Sequence, residues 1–234
     1  MTPYGDTDVL PRLDMVVPGS VVDVDQVRRD PVRFADAARV LAWLDSFVMQ
    51  PNEGLGRPGH VCPRLKPVVD ANRLTFATVA TPDAEPATAY RAGLQLADLY
   101  RSLYPDVVDH RTAALVAVFP DLPESAAGTF VDDGHKMLRM EFVSSGLMIG
   151  EFHPTSGVAS VRNDDLHVMQ APMPMYAIRG ITPHDIMFLD RPTEDPQRRI
   201  SYLEHYLHFV GPQLATSARL RVSASLEELK AAAG

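Results

Sequence analysis

Apolar side chains recur at helical spacing between residues 31 and 50, where Phe34, Ala37, Ala38, Leu41, Leu44, Phe47 and Val48 share one face. With Asp30 as N-cap and Pro31 at the first helical position, this pattern predicts a helix over the whole span. Trp43 lies on it and is expected to pack in the core. Residues 1–30 mix Pro3, Pro11, Pro18, Gly5 and Gly19 with aspartates, which predicts an arm laid over the core rather than a helix. Within it, residues 15–17 and 21–22 read as short edge strands. Residues 73–80 read as a strand and residues 85–103 as an amphipathic helix. The nearly continuous apolar run over 113–119, ended by Pro120, predicts a central strand buried on both faces. Pro123 opens a helix through Phe130, Met137, Leu138 and Phe142 to a stop at Gly146, with a break at Gly134.

The next apolar run, Leu147 to Phe152, delivers His153 and meets Pro154, which cannot extend a ladder. The imidazole is therefore expected at the rim of a strand. A polar connection over 155–165 leads to another strand at 175–178. Thr182 and Pro183 start a short helix ending near Asp190, and Asp195 with Pro196 starts a longer one closed by Gly211 and Pro212. Strands and helices alternate without a regular βα repeat. The expected class is α+β: one domain over 31–220 with a mainly antiparallel sheet, followed by a tail or short helix over 221–234.

Composition narrows the partners. The chain has 234 residues, enough for one well-buried core, with 46% hydrophobic and 22% charged residues and a net charge of −8. Without a basic run there is no footprint for nucleic acid, whereas an acidic protein accommodates cationic small molecules such as amines and guanidines. The single cysteine precludes an intrachain disulfide. The first nineteen residues lack the basic and apolar regions of a signal peptide, and no apolar run is long enough to span a membrane, so the expected compartment is the cytoplasm. A homodimer is left open.

Eight histidines are available for chemistry, among them His205 and His208 on one helix face, where an aromatic-polar surface explains them without metal. His135 follows Asp132-Asp133-Gly134, which lacks the spaced oxygens of a calcium loop. Glu151 and His153 stand two apart on a strand and share a face. With a second histidine they would form the facial triad of a non-haem iron enzyme. Cys62, in the Gly/Pro-rich stretch 51–63, has four readings: a buried small hydrophobe, a catalytic thiolate, a metal ligand or a haem contact. His60 is too close in sequence to serve as its base, and a structural or pocket-lining role is expected. No Gly-x-Ser-x-Gly elbow is present.

Leu55-Gly56-Arg57-Pro58-Gly59-His60-Val61-Cys62-Pro63, Phe119-Pro120-Asp121-Leu122-Pro123 and Ile149-Gly150-Glu151-Phe152-His153-Pro154 together resemble a family of short bacterial proteins associated with natural-product clusters. More distantly the layout is similar to the YqcI/YcgG family, which includes a haem-dependent N-hydroxylase. The resemblance implies a b-type haem (heme b) with His153 on its iron and Cys62 lining the pocket. Two departures stand out: Cys-Pro replaces Pro-Cys, and the Ser-Arg pair after His-Pro is reduced to Ser156 and a distant Arg162. A haem also requires apolar walls and cations for its propionates. Phe152, Met148, Met169, Met173, Met175 and Phe188 are candidate walls, and Arg57, Arg64, Arg162 and Arg179 candidate cations. The implied activity is oxidation of an amine or guanidine nitrogen by dioxygen or peroxide, with Glu151, Asp185 or Asp190 holding the cation. The alternatives are a non-haem iron oxygenase using Glu151 and His153, and a haem- or ligand-binding sensor without turnover.

Overall fold

The computed structural model describes residues 13–106, 108–160 and 162–233. Pro3, Gly5 and Pro11 of the expected arm lie outside the described residues. Around the sheet the order of elements is β1 (Val22–Asp23), α1 (Val24–Arg29), α2 (Ala35–Trp43), α3 (Leu65–Asp70), β2 (Leu74–Thr78), α4 (Pro86–Leu103), β3 (Ala114–Val118), α5 (Glu124–Ala127), α6 (Gly134–Ser144), β4 (Leu147–Phe152), β5 (Met175–Gly180), α7 (Ile186–Leu189), α8 (Pro196–Val210) and α9 (Thr216–Ala233).

The five strands form one sheet in the order β1-β2-β3-β5-β4, antiparallel except for the β2/β3 pair. The α+β class and mainly antiparallel sheet follow the sequence pattern. β3 is the middle strand, and its apolar residues are buried because both faces are covered. One face carries Leu115, Ala117, Ile149, Tyr176 and Ile178 against α4 and α6. The other carries Val116, Val118, Met175 and Ala177 against α1, α2 and α3. β4 runs antiparallel to β5, which runs antiparallel to β3, so β2, β3 and β4 all end at the same edge of the sheet.

Several boundaries differ from the sequence expectations. Asp30 does not cap a helix from Pro31: it ends α1, and its side chain binds the Arg33 amide in the turn before α2. α1 itself lies within the expected arm and is closed by a capping box between Asp23 and Gln26. α2 continues through a π turn over Leu44–Val48. The tail expected from 221 is the second half of α9, which packs on α8 through Leu226.

Gly134 is not a break. It has helical φ and ψ of −59° and −44°, and α5 runs into α6 through a second π turn, Gly128–Asp133. A Cβ at Gly134 would lie 2.4 Å from Ala89 Cβ and 2.5 Å from Tyr176 Oη, so glycine there lets α6 approach α4 and the sheet. Gly93 serves the same contact from α4, against Leu138. Carbonyls loosened from regular helix pairing in the π turn still require donors. Tyr176 Oη donates to Val131 O at 3.0 Å and points at Phe130 O at 3.4 Å.

Candidate functional site

The π turn and the end of β4 bring four titratable side chains to one place. His153 directly follows β4, at the rim expected from Pro154, but its imidazole is turned inward and only 2% of the residue is exposed. Its Nε2 lies 3.2 and 3.3 Å from the two oxygens of Asp132, and its Nδ1 lies 3.1 Å from Thr155 Oγ1. An ionised carboxylate only accepts, so the partners assign the proton to Nε2, and Thr155 donates to Nδ1. Asp132 is the outermost of the group, with 34% of its side chain exposed.

Glu151 shares the face of His153, as their spacing predicts, but the two have separate partners. His135 Nε2 lies 3.1 Å from the Ile149 carbonyl and 3.3 Å from Glu151 Oε2. The carbonyl can only accept, so Nε2 carries the hydrogen. Burial pushes Glu151 up to about 7, with the Asp132 carboxylate adding to the rise. Burial, helped by Arg139, pushes His135 down to about 4. Near neutral pH, therefore, His135 is neutral and Glu151 is poised between its two forms.

Each carboxylate–imidazole pair joins the helix to the end of β4: Asp132 to His153, and His135 to Glu151. Sequence reading missed both helix members. Their only signal is the i, i+3 spacing of Asp132 and His135 on one helix, and it gains meaning once that helix is packed against β4. Among the described residues, no three of His, Cys, Asp and Glu converge at metal-ligand spacing, so the four stand as two pairs and not as a facial triad.

This arrangement does not fit a porphyrin iron on His153. Both ring nitrogens already have partners within the protein, the ring is buried by the π turn with Gly128 beside its Cε1, and Phe152 is packed edge-on against Trp43. Of the candidate propionate cations, Arg57 donates to Pro58 O and Val61 O in its own loop and Arg64 donates to Arg111 O, while Arg162 is exposed, with its Cβ over Gly56. Cys62 is half-buried beside the apolar cluster under α2 and is a free thiol.

Asp185 also lies apart from Glu151 and His153. Its fully buried carboxylate receives both terminal nitrogens of Arg179 and the amide and hydroxyl of Thr182. Burial alone would lower the Arg179 guanidinium, but the Asp185 bonds and charge outweigh it and hold it higher. By strand alternation Arg179 is on the face opposite Tyr176, three residues further along β5, and so belongs to the far end of the sheet. Asp185 therefore ties the start of α7 to β5. Asp190, the other acidic candidate, pairs with Arg199 of α8.

No curated protein and no solved structure matches this chain. Among the described residues no helix is long and apolar enough to cross a membrane. A family model described as a domain of unknown function (DUF6875) matches residues 37–221, which include most of α2, strands β2 to β5 and both carboxylate–imidazole pairs, and the chain belongs to that family.

Proposed function

We propose that the protein is an enzyme acting at the nitrogen of a small amine or guanidine, with Asp132 holding the cation and Glu151 removing its proton. The observation that carries this reading is the pairing of two carboxylates with two imidazoles where the π turn meets the end of β4. An amine meets a protein at neutral pH as an ammonium ion and has no lone pair to react with until a proton leaves. Asp132 is the more accessible carboxylate, and the His153 N–H behind it fixes its orientation, which suits it to anchor a cation. Glu151 is set deeper. A carboxylate held near neutrality is a stronger base than an ordinary one yet is still substantially ionised at pH 7. The neutral His135, its Nε2 hydrogen on the Ile149 carbonyl, lies beside Glu151 without adding a positive charge that would repel the substrate. The net charge of −8 favours the approach of a cation.

The test is a titration with a panel of primary amines and guanidines, read from the imidazole nitrogen resonances of His135 and His153. At least one class is expected to shift both resonances, and Asp132→Asn is expected to weaken that binding tenfold, about 1.4 kcal/mol. Glu151→Gln should still bind it but fail to take its proton. The reading falls if no amine or guanidine perturbs either imidazole, or if Asp132→Asn binds as tightly as the wild type.

A further inference from the structure

The Phe119-Pro120-Asp121-Leu122-Pro123 motif plays no part in the pairs at β4. It forms the turn that leaves β3: Phe119 and Leu122 are buried, the Leu122 amide closes on the Phe119 carbonyl, and Asp121 is turned outward. Beside it lies an open cleft of about 390 Å³, lined by Asp14, Thr81, Arg91 and Asp121 among others. The cleft sits just beyond the carboxyl ends of β2 and β3, the one parallel pair in the sheet, with α4 crossing between them. Crevices outside the carboxyl ends of parallel strands are recurrent ligand sites, because loops there diverge and leave space.

The charges in this cleft are mixed and unspent. Arg91 is bonded to the Thr88 hydroxyl, and among the described residues neither Arg91, Asp14 nor Asp121 forms an ion pair. Asp14 is held in place by the Gln95 amide, whose oxygen in turn accepts from the Met15 amide, so its carboxylate is oriented without being neutralised. A guanidinium and two carboxylates around one small space complement a molecule carrying one negative and one positive group. We infer that this cleft binds a free amino acid or an amine-bearing acid of similar size, its carboxylate on Arg91 and its ammonium between Asp14 and Asp121. Arg91 supplies a planar pair of donors for the carboxylate, and the Thr81 side of the cleft gives room for the rest of the molecule. The inference rests on residues separate from Asp132 and Glu151 and stands independently of the function proposed above.

The experiment is a thermal-shift screen of the full chain against the twenty standard L-amino acids, followed by calorimetry on the best binder, its methyl ester and its N-acetyl form. The expected result is saturable binding of at least one amino acid. Its ester, lacking the carboxylate, and its N-acetyl form, lacking the ammonium, should each bind at least tenfold more weakly. Arg91→Ala should lower affinity for the amino acid to that for its ester, and Asp121→Asn should lower it toward that for the N-acetyl form, while Asp132→Asn leaves it unchanged. Arg91 and Asp121 are exposed, so loss of the fold does not complicate their variants. The inference is overturned if no amino acid binds, if ester and acid bind alike, or if Arg91→Ala binds as the wild type does. Binding abolished by Asp132→Asn and untouched by Arg91→Ala would also overturn it, by locating the amino acid at the β4 pairs.

Discussion

His135 and Glu151 are displaced in opposite directions by the same buried setting, and pH should separate them. The native protein holds the Glu151 proton more tightly than the unfolded chain does, so its contribution is full at low pH, declines from about 4.5 and is lost above about 7. For His135 the unfolded chain binds the proton better, so its contribution is full above about 6.5 and is lost as pH falls toward 4. Each is on the order of 3 kcal/mol across its window. In the wild type the two slopes nearly cancel between pH 4.5 and 6.5. In denaturant titrations Glu151→Gln is expected to gain stability as pH rises through 4 to 6.5, and His135→Gln to lose it from 4.5 to 7; parallel flat profiles for both variants would refute the assignment. His153 gives a second residue-scale test. His153→Ala should cost about 1–3 kcal/mol, since it strips partners from Asp132 and Thr155. Haemin titrations of wild type and variant should give superimposable Soret bands, and a red shift that depends on His153 would restore the iron reading.

At the scale of elements, the π turn at Gly128–Asp133 is held between two glycines with opposite demands. At Gly134 an added methyl meets Ala89 and Tyr176 below 3.0 Å, while at Gly128 its nearest neighbour is His153 Cε1 at 3.9 Å. Gly134→Ala is therefore expected to destabilise by about 1–3 kcal/mol despite the better helix propensity of alanine, and to displace the Tyr176 hydroxyl from the π-turn carbonyls. Gly128→Ala should be neutral or stabilising by up to about 1 kcal/mol. Equal thermal shifts for the two variants would show that the contact is not as tight as described. The sequence pattern made β2, α4, β3, β5 and α8 legible because their apolar periods are long and their ends carry Pro or Gly. It misplaced the start of α2, since Asp30 and Pro31 form a sound start signal that the turn over residues 31–34 uses for itself. It hid α1 because six residues are too few to show a period, and it read Gly134 as a break because a glycine required by close packing looks the same in sequence as one required by a bend.

For the molecule as a whole, the candidate site was legible only in part. Pro154 announces where β4 stops and so where His153 stands, and the i, i+2 spacing puts Glu151 on the same face. That His153 is buried depends on Asp132, twenty-one residues earlier on another element, and no local pattern reports that pairing. Asp185 is one of three acidic candidates to hold a cationic substrate; its partner in the fold, Arg179, becomes visible only when β5 and α7 are folded together. The π turn carries a further implication. It acts as a phase adjuster between the two ends of one continuous helical stretch, since each residue of a regular helix advances the azimuth by about 100°. Its upstream end is seated by the Asp121 turn at the amino-acid-sized cleft, and its downstream end aims His135 at Glu151. Shortening the stretch by one residue to make it regular would leave every downstream side chain rotated out of alignment, so this chain has far less freedom to change the length of this segment than the length of its loops.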